Sequence, residues 1–263
     1  MITKEMYSKV SKTMLEVAKS PHILIAGTTG SGKSVALNNL IYSLLLQRGN
    51  GTDFIMIDTK RVELKQYKSL PSLWCYETEP ENVPSLLDRV IDLMDDRYYE
   101  MEGKETLEPH LYIVIDELAD LLDEPGVLKK LVKIGRLGRA AHIHLLACTQ
   151  DPSRSTLSAQ LMQNFTARIA LRCRDQIESR QVLGHTGAEL LPKYGSAILS
   201  DPDGERRIKI ILTPDIFIEA AVDAMNRLEA YADGRASIDG VFSPEIMASR
   251  DKGSFTFAIS TAD

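Results

Sequence analysis

Residues 27–34 read GTTGSGKS, and this octet constrains the fold more than any other stretch of the chain. A loop with glycines at these places can curl until several backbone N–H groups point at one anion. It works when it joins a strand to the N-terminus of a helix, whose dipole end adds to the attraction. Both flanks are present. His22–Ala26 is a short apolar run that reads as a buried strand, and Lys33–Gln47 reads as a helix ended by Gly49–Gly51. The octet therefore predicts a site for the phosphates of ATP, formed by Gly27, Thr28, Thr29, Gly30, Ser31, Gly32, Lys33, Ser34 and Val35. Lys33 is expected to reach the β- and γ-phosphates, and Ser34 to ligate Mg2+.

Downstream, strands and helices alternate. Asp53–Asp58, Leu111–Ile115 and Ile143–Cys148 read as apolar strands, and Ala167–Leu171, Ser196–Leu199 and Arg207–Leu212 as further ones. Pro84–Glu102 has helical periodicity, with Leu86, Leu87, Val90, Ile91 and Met94 on one side, and Val127–Leu137 is an amphipathic helix. Pro214–Tyr231 reads as a terminal helix. This order predicts an α/β fold, a three-layer P-loop NTPase of RecA-like type with a mostly parallel central sheet flanked by helices. The expected organisation is a short lead over residues 1–20, an ATPase domain over 21–232, and a weakly patterned tail over 233–263 with partial disorder.

Two strand ends carry further chemistry. LYIVIDEL, residues 111–118, is an apolar strand closed by adjacent carboxylates. In a parallel sheet its C-terminal end lies beside the phosphate loop. Asp116 is then placed to hold Mg2+ through water, and Glu117 to polarise the attacking water. The competing reading is a charged helix start, since Asp and Glu favour helix N-termini. LLACTQ, residues 145–150, ends in Thr149 and Gln150. A glutamine there can hydrogen-bond the γ-phosphate or the lytic water; the plainer reading is a polar exit from a strand.

No apolar run is long enough to span a membrane, and the N-terminus has no secretory pattern. Cys75, Cys148 and Cys173 lack metal-like spacing, which suits reduced thiols in a cytoplasm. His22, His110, His142, His144 and His185 also lack ligand spacing and read as structural or exposed. The net charge of −6 argues against a surface coated with nucleic acid, while leaving room for a local basic channel.

The blocks PHILIAGTTGSGKSVALNNLI (21–41), MIDTKRVEL (56–64), YIVIDELADLL (112–122), GRAAHIHLLACTQDP (138–152), NFTARIALR (164–172) and ESRQVLGHTGAELL (178–191) together resemble the motor domain of the FtsK/SpoIIIE-type DNA translocases. The resemblance spans most of residues 20–212 in the family's order. It implies an ATPase that moves double-stranded DNA without reading its sequence, working as a homo-oligomer, a hexameric ring. By position, the lysine of the family's D-P-K falls at Lys60, and the arginine of its R-A-A-G-I-H motif falls at Arg139. Arg139 then resembles a finger donated across a subunit boundary to a neighbour's ATP. The sequence departs from the family at Thr59 (usually Pro), His142 (usually Gly) and Asp151 (usually Arg).

The family's membrane spans, long linker, preceding α-domain and following winged helix are not recognisable. The chain reads as a minimal motor, as on mobile elements, or as a fragment of something longer. Chromosome segregation and conjugative transfer are the other settings that the resemblance suggests. DNA contact then falls to the helix bearing Lys129, Lys130, Lys133 and Arg136 and to the segment Arg154–Ser158. The alternatives are a motor for protein secretion of type VII kind, and an ATP-binding switch or scaffold with little turnover. The adjacent Asp116 and Glu117 speak against the last.

Overall fold

Apolar strands joined by helices can bury both faces of one sheet, and this arrangement organises the chain. The computed structural model describes residues 12–48, 51–101, 109–152 and 157–211, together with Val222, Asp223 and Asn226. Along the chain run α1 (Lys12–Val17), β1 (His22–Ala26), α2 (Lys33–Arg48), β2 (Thr52–Ile57), β3 (Leu73–Glu77), α3 (Val83–Met101) and β4 (His110–Ile115). Then follow α4 (Leu118–Leu121), α5 (Val127–Leu137), β5 (Ile143–Thr149), α6 (Ala159–Asn164), β6 (Ala167–Ala170), α7 (Gln176–Leu183), β7 (Ser196–Asp201) and β8 (Gly204–Lys209).

The eight strands form one sheet in the order β3-β2-β4-β5-β1-β6-β7-β8. Pairing from β3 to β6 is parallel, and β6–β7 and β7–β8 are antiparallel. Successive strand side chains point to opposite faces, and the core divides accordingly. Ile23 and Ile25 of β1, Phe54 and Met56 of β2 and Tyr112 and Val114 of β4 pack on one side with α1 and α2. Leu24, Ile55, Ile57, Leu111, Ile113 and Ile115 pack on the other with α3 and α5. The result is the expected α/β, three-layer P-loop architecture. Met14 and Val17 of α1 belong to the same core, so packing continues N-terminal to Pro21.

Differences from expectation have local causes. β3 is an edge strand whose residues are only half-buried or exposed, so it lacks an apolar signature. α7 contains buried Glu178 and Ser179, which break its apolar period; its start is fixed by Asp175, whose side chain accepts from the N–H groups of Ile177 and Glu178. β8 is Gly204–Lys209 rather than Arg207–Leu212, because the hairpin with β7 closes at Asp201 and Gly204. The expected helix over Pro214–Tyr231 lies outside the described residues except for Val222, Asp223 and Asn226, which are helical. The tail from 233 and residues 153–156 also lie outside them. Among the described residues, no helix is long and apolar enough to cross a membrane.

Candidate active site

The phosphate loop leaves β1 at its C-terminal end and enters α2 at Lys33. Gly27 has φ of 155°, and a Cβ there would lie 2.8 Å from both Leu171 Cβ and Ser31 Oγ, so only glycine fits. Thr28 N donates to the Arg172 carbonyl at 2.9 Å, which ties the loop to the chain after β6. Lys33 is buried, and its Nζ donates to the carbonyls of Gly27 at 2.7 Å and Thr28 at 3.0 Å. Burial lowers its pKa from the ordinary value, against the pull of Cys148 and Glu117. The ammonium is thus held over the concave side of the loop. A cavity of about 570 Å³ opens there, within the range of small-ligand pockets. Its lining includes Thr29, Lys33, Ser34, Lys60, Asp116 and Gln150.

Parallel pairing of β2, β4 and β5 brings Asp58, Asp116 and Gln150 to the same sheet edge as the loop. Glu117 occupies the N-cap position of α4, yet its side chain makes no capping bond. It turns instead to β5, where Gln150 N donates to its Oε1 at 3.0 Å and Oε2 at 3.3 Å. Lys60 Nζ donates to Oε2 at 3.1 Å. Lys60 has its pKa raised: burial opposes this, but the charge of Glu117 outweighs it. Gln150 also reaches the loop directly, its Oε1 accepting from Thr29 Oγ1 at 2.8 Å. Phosphate loop, glutamate and glutamine therefore form one connected polar chain.

Asp116 accepts from Thr59 N at 3.3 Å, a donor that the family's usual proline would remove. Its Oδ2 is buried and receives no N–H or O–H donor among the described residues; the side chain's neighbour is the Asp58 carboxylate. Burial first, and then the neighbouring Asp58 carboxylate, raises its pKa to about 7. Asp58 is held below its usual value; burial pushes it up, but bonds from Tyr76 Oη at 2.6 Å, Leu64 N at 3.0 Å and Val62 N at 3.1 Å outweigh that. A buried carboxylate oxygen that no N–H or O–H satisfies, beside a second carboxylate and sharing a cavity with the Ser34 hydroxyl, fits Mg2+. Among the described residues, no three His, Cys, Asp or Glu side chains converge on one point. Nucleotide-borne Mg2+ needs only one or two protein ligands beside phosphate oxygens.

Arg139 is exposed and lies at the other end of the sheet. It sits in the turn before β5, close enough to His22, the first residue of β1, to lower that histidine's pKa. The phosphate loop follows the last residue of β1, so the length of the strand, about 13 Å, separates the two. The structure does not bring Arg139 to the cavity of its own chain.

The basic helix α5 is partly committed. Lys130 Nζ meets Asp88 at 2.7 Å and Lys133 Nζ meets Asp95 at 3.1 Å, which fastens α5 to α3. Lys129 and Arg136 stay exposed. Sequence spacing also missed a histidine cluster: His110 Nδ1 lies 2.7 Å from His144 Nε2, and the His110 ring stacks on His142 with centroids 4.0 Å apart. Adjacency of β4 and β5 assembles it, and no local pattern encodes that. Glu63, Tyr194, Gly195 and Ile210, which also line the cavity, were likewise not anticipated.

The pattern of the FtsK/SpoIIIE family matches residues 3–190. The DNA translocase FtsK of Streptococcus agalactiae serotype V is 31% identical over 266 residues, which cover 90% of this chain and 32% of that protein. The pCW3 conjugation coupling protein TcpA, solved in monomer form with ATPγS, superposes with a TM-score of 0.71 at 27% identity, over 81% of this chain and 66% of that one. The cytoplasmic domain of the type VII secretion ATPase EccC from Thermomonospora curvata gives 0.66 at 27% identity, over 78% and 28%. The chain spans about a third of the length of the curated relatives it matches.

Proposed function

The chain belongs to the FtsK/SpoIIIE family, and on that premise we propose that it is an ATP-hydrolysing motor that moves double-stranded DNA as a ring of identical subunits, a hexamer. The observation that carries the hydrolytic part is Glu117: buried beside a phosphate loop, bound by Gln150 N and Lys60, and excused from capping its own helix. A carboxylate held in this way is a general base for water, and Gln150 links that base to the loop through Thr29. Lys33 and the loop amides take the β- and γ-phosphates. Ser34 and Asp116 would hold Mg2+, which would supply neutralisation of phosphate charge.

The position of Arg139 supports a ring. It is exposed and remote from its own cavity, so its use in catalysis requires a second copy. An arginine supplied in trans is worth about 10³–10⁵ in rate where such fingers act. It makes hydrolysis depend on assembly and lets each turnover alter a subunit contact. The likeness to DNA translocase FtsK and to the TcpA coupling protein favours DNA as cargo, in a mobile-element or conjugative setting. The likeness to EccC makes a polypeptide the competing cargo. A cytoplasmic location follows from a DNA track. The test is ATP-dependent displacement of a third strand from a duplex. Displacement by the wild type and none by Lys33→Ala supports the motor; ATP hydrolysis without displacement, stimulated by a secretion substrate, favours the competing cargo.

A further inference from the structure

The phosphate loop sits between two unlike flanks. β5 and β6 are the two neighbours of β1 in the sheet. On the β5 side stand Glu117 and Gln150, so the γ-phosphate faces that way. The rest of a nucleotide must leave toward β6, β7 and β8. There the cavity wall is made by Val35, Leu37, Tyr194, Gly195 and Ile210. Within this wall the Tyr194 hydroxyl is the sole polar side-chain atom.

This wall is fastened to the loop. Gly195 N donates to the Ser31 carbonyl at 3.2 Å, and Ile210 N donates to the Gly195 carbonyl at 2.7 Å. Asn39 Nδ2 of α2 donates to the Ile211 carbonyl at 2.6 Å. Gly195 has φ of 63°, and a Cβ there would come within 2.8 Å of the Ile210 carbonyl oxygen. The bare backbone at 195 therefore lets the two ends of the β7–β8 hairpin close on each other, and the Gly195 N–H then fastens that end to the phosphate loop at Ser31. Next to it, Tyr194 is 73% exposed, with Lys193 Nζ 5.5 Å from its ring centroid. An aromatic ring left in solvent on the rim of a phosphate cavity has a flat apolar face available to a ligand.

We propose that Tyr194 stacks on the base of the bound nucleotide, with Ile210 and Leu37 closing the apolar slot beside it. This inference rests on the nucleotide reading of the phosphate loop and adds the base subsite to it. Stacking on an aromatic ring is worth enough, per base, to change affinity by about tenfold or more.

The experiment is calorimetric binding of ADP with Mg2+, and of inorganic tripolyphosphate with Mg2+, to the full chain and its variants. Tyr194 is exposed, so Tyr194→Ala leaves the fold intact. That variant is expected to bind ADP about tenfold more weakly and tripolyphosphate within about twofold of wild type. Tyr194→Phe is expected to keep ADP affinity. Unchanged ADP binding in Tyr194→Ala, or equal weakening of both ligands, overturns the stacking role while leaving the phosphate loop in place. A wild-type chain that binds neither ligand overturns the phosphate-loop reading, and this subsite with it.

Discussion

The backbone amide of Gln150 donates to both carboxylate oxygens of Glu117, at 3.0 Å and 3.3 Å. Glu117 is therefore aimed by the neighbouring strand β5 and not by the helix that it begins. Glu117→Gln keeps an acceptor for Gln150 N and removes the base. Hydrolysis is expected to fall about 10²–10³-fold, with nucleotide affinity close to wild type. Phosphate release and equilibrium binding measured on the same preparations check this. Equal, near-zero turnover in wild type and variant, with binding intact, would favour an ATP-binding switch over an enzyme.

Arg139 sits at the sheet edge opposite its own phosphate loop. Rings mixed from Arg139→Ala and Lys33→Ala subunits are expected to recover part of the activity that each lacks alone, because a loop and a finger can then meet at one interface. No recovery in rings of verified mixed composition would remove Arg139 from the site.

His22 titrates against the fold. Burial first lowers its pKa to about 4; the Gly135 carbonyl pulls it back and Arg139 lowers it further. The unfolded value is about 6.5. Between these values the unfolded chain takes up a proton that the folded chain refuses, so stability is complete above about 6.5 and declines as pH falls toward 4. At pH 5 the loss is about 2 kcal/mol. Urea denaturation at about pH 7.5 and about pH 5 is expected to show a pH-dependent loss larger in wild type than in His22→Gln by that amount. Equal losses would mean that another group carries the effect.

His142, where the family usually has glycine, has φ of 54° and stacks on His110. The left-handed conformation costs a residue with a Cβ about 1–2 kcal/mol. His142→Gly is therefore expected to be more stable than His142→Ala by about 1 kcal/mol, because both lose the stack and only alanine keeps the strain. Thermal unfolding of the two variants checks this, and equal stabilities would contradict it.

What could be read in advance depended on range. The phosphate loop is local, since residues 27–34 carry their own geometry and their flanks declare strand and helix. Asp116, Glu117 and Gln150 were legible because each follows an apolar strand, and parallel order brings such ends together. Tyr194 was not, because it reaches the cavity only when the antiparallel β7–β8 hairpin lies beside β6. The lysines of α5 looked like a free basic face until α3 brought Asp88 and Asp95 against Lys130 and Lys133. The register of the β7–β8 hairpin and the length of the edge strand β3 depend on neighbours and not on apolar period.

The measurement that bears most directly on a DNA-tracking ring motor is steady-state ATP hydrolysis with and without linear duplex DNA, on a preparation whose mass in the presence of nucleotide shows an oligomer. A ring that grips DNA is expected to hydrolyse ATP several-fold faster with duplex, regardless of its sequence, with the stimulation falling as salt rises and abolished by Glu117→Gln. A confirmed oligomer whose rate is indifferent to duplex at every salt concentration would contradict DNA as its track.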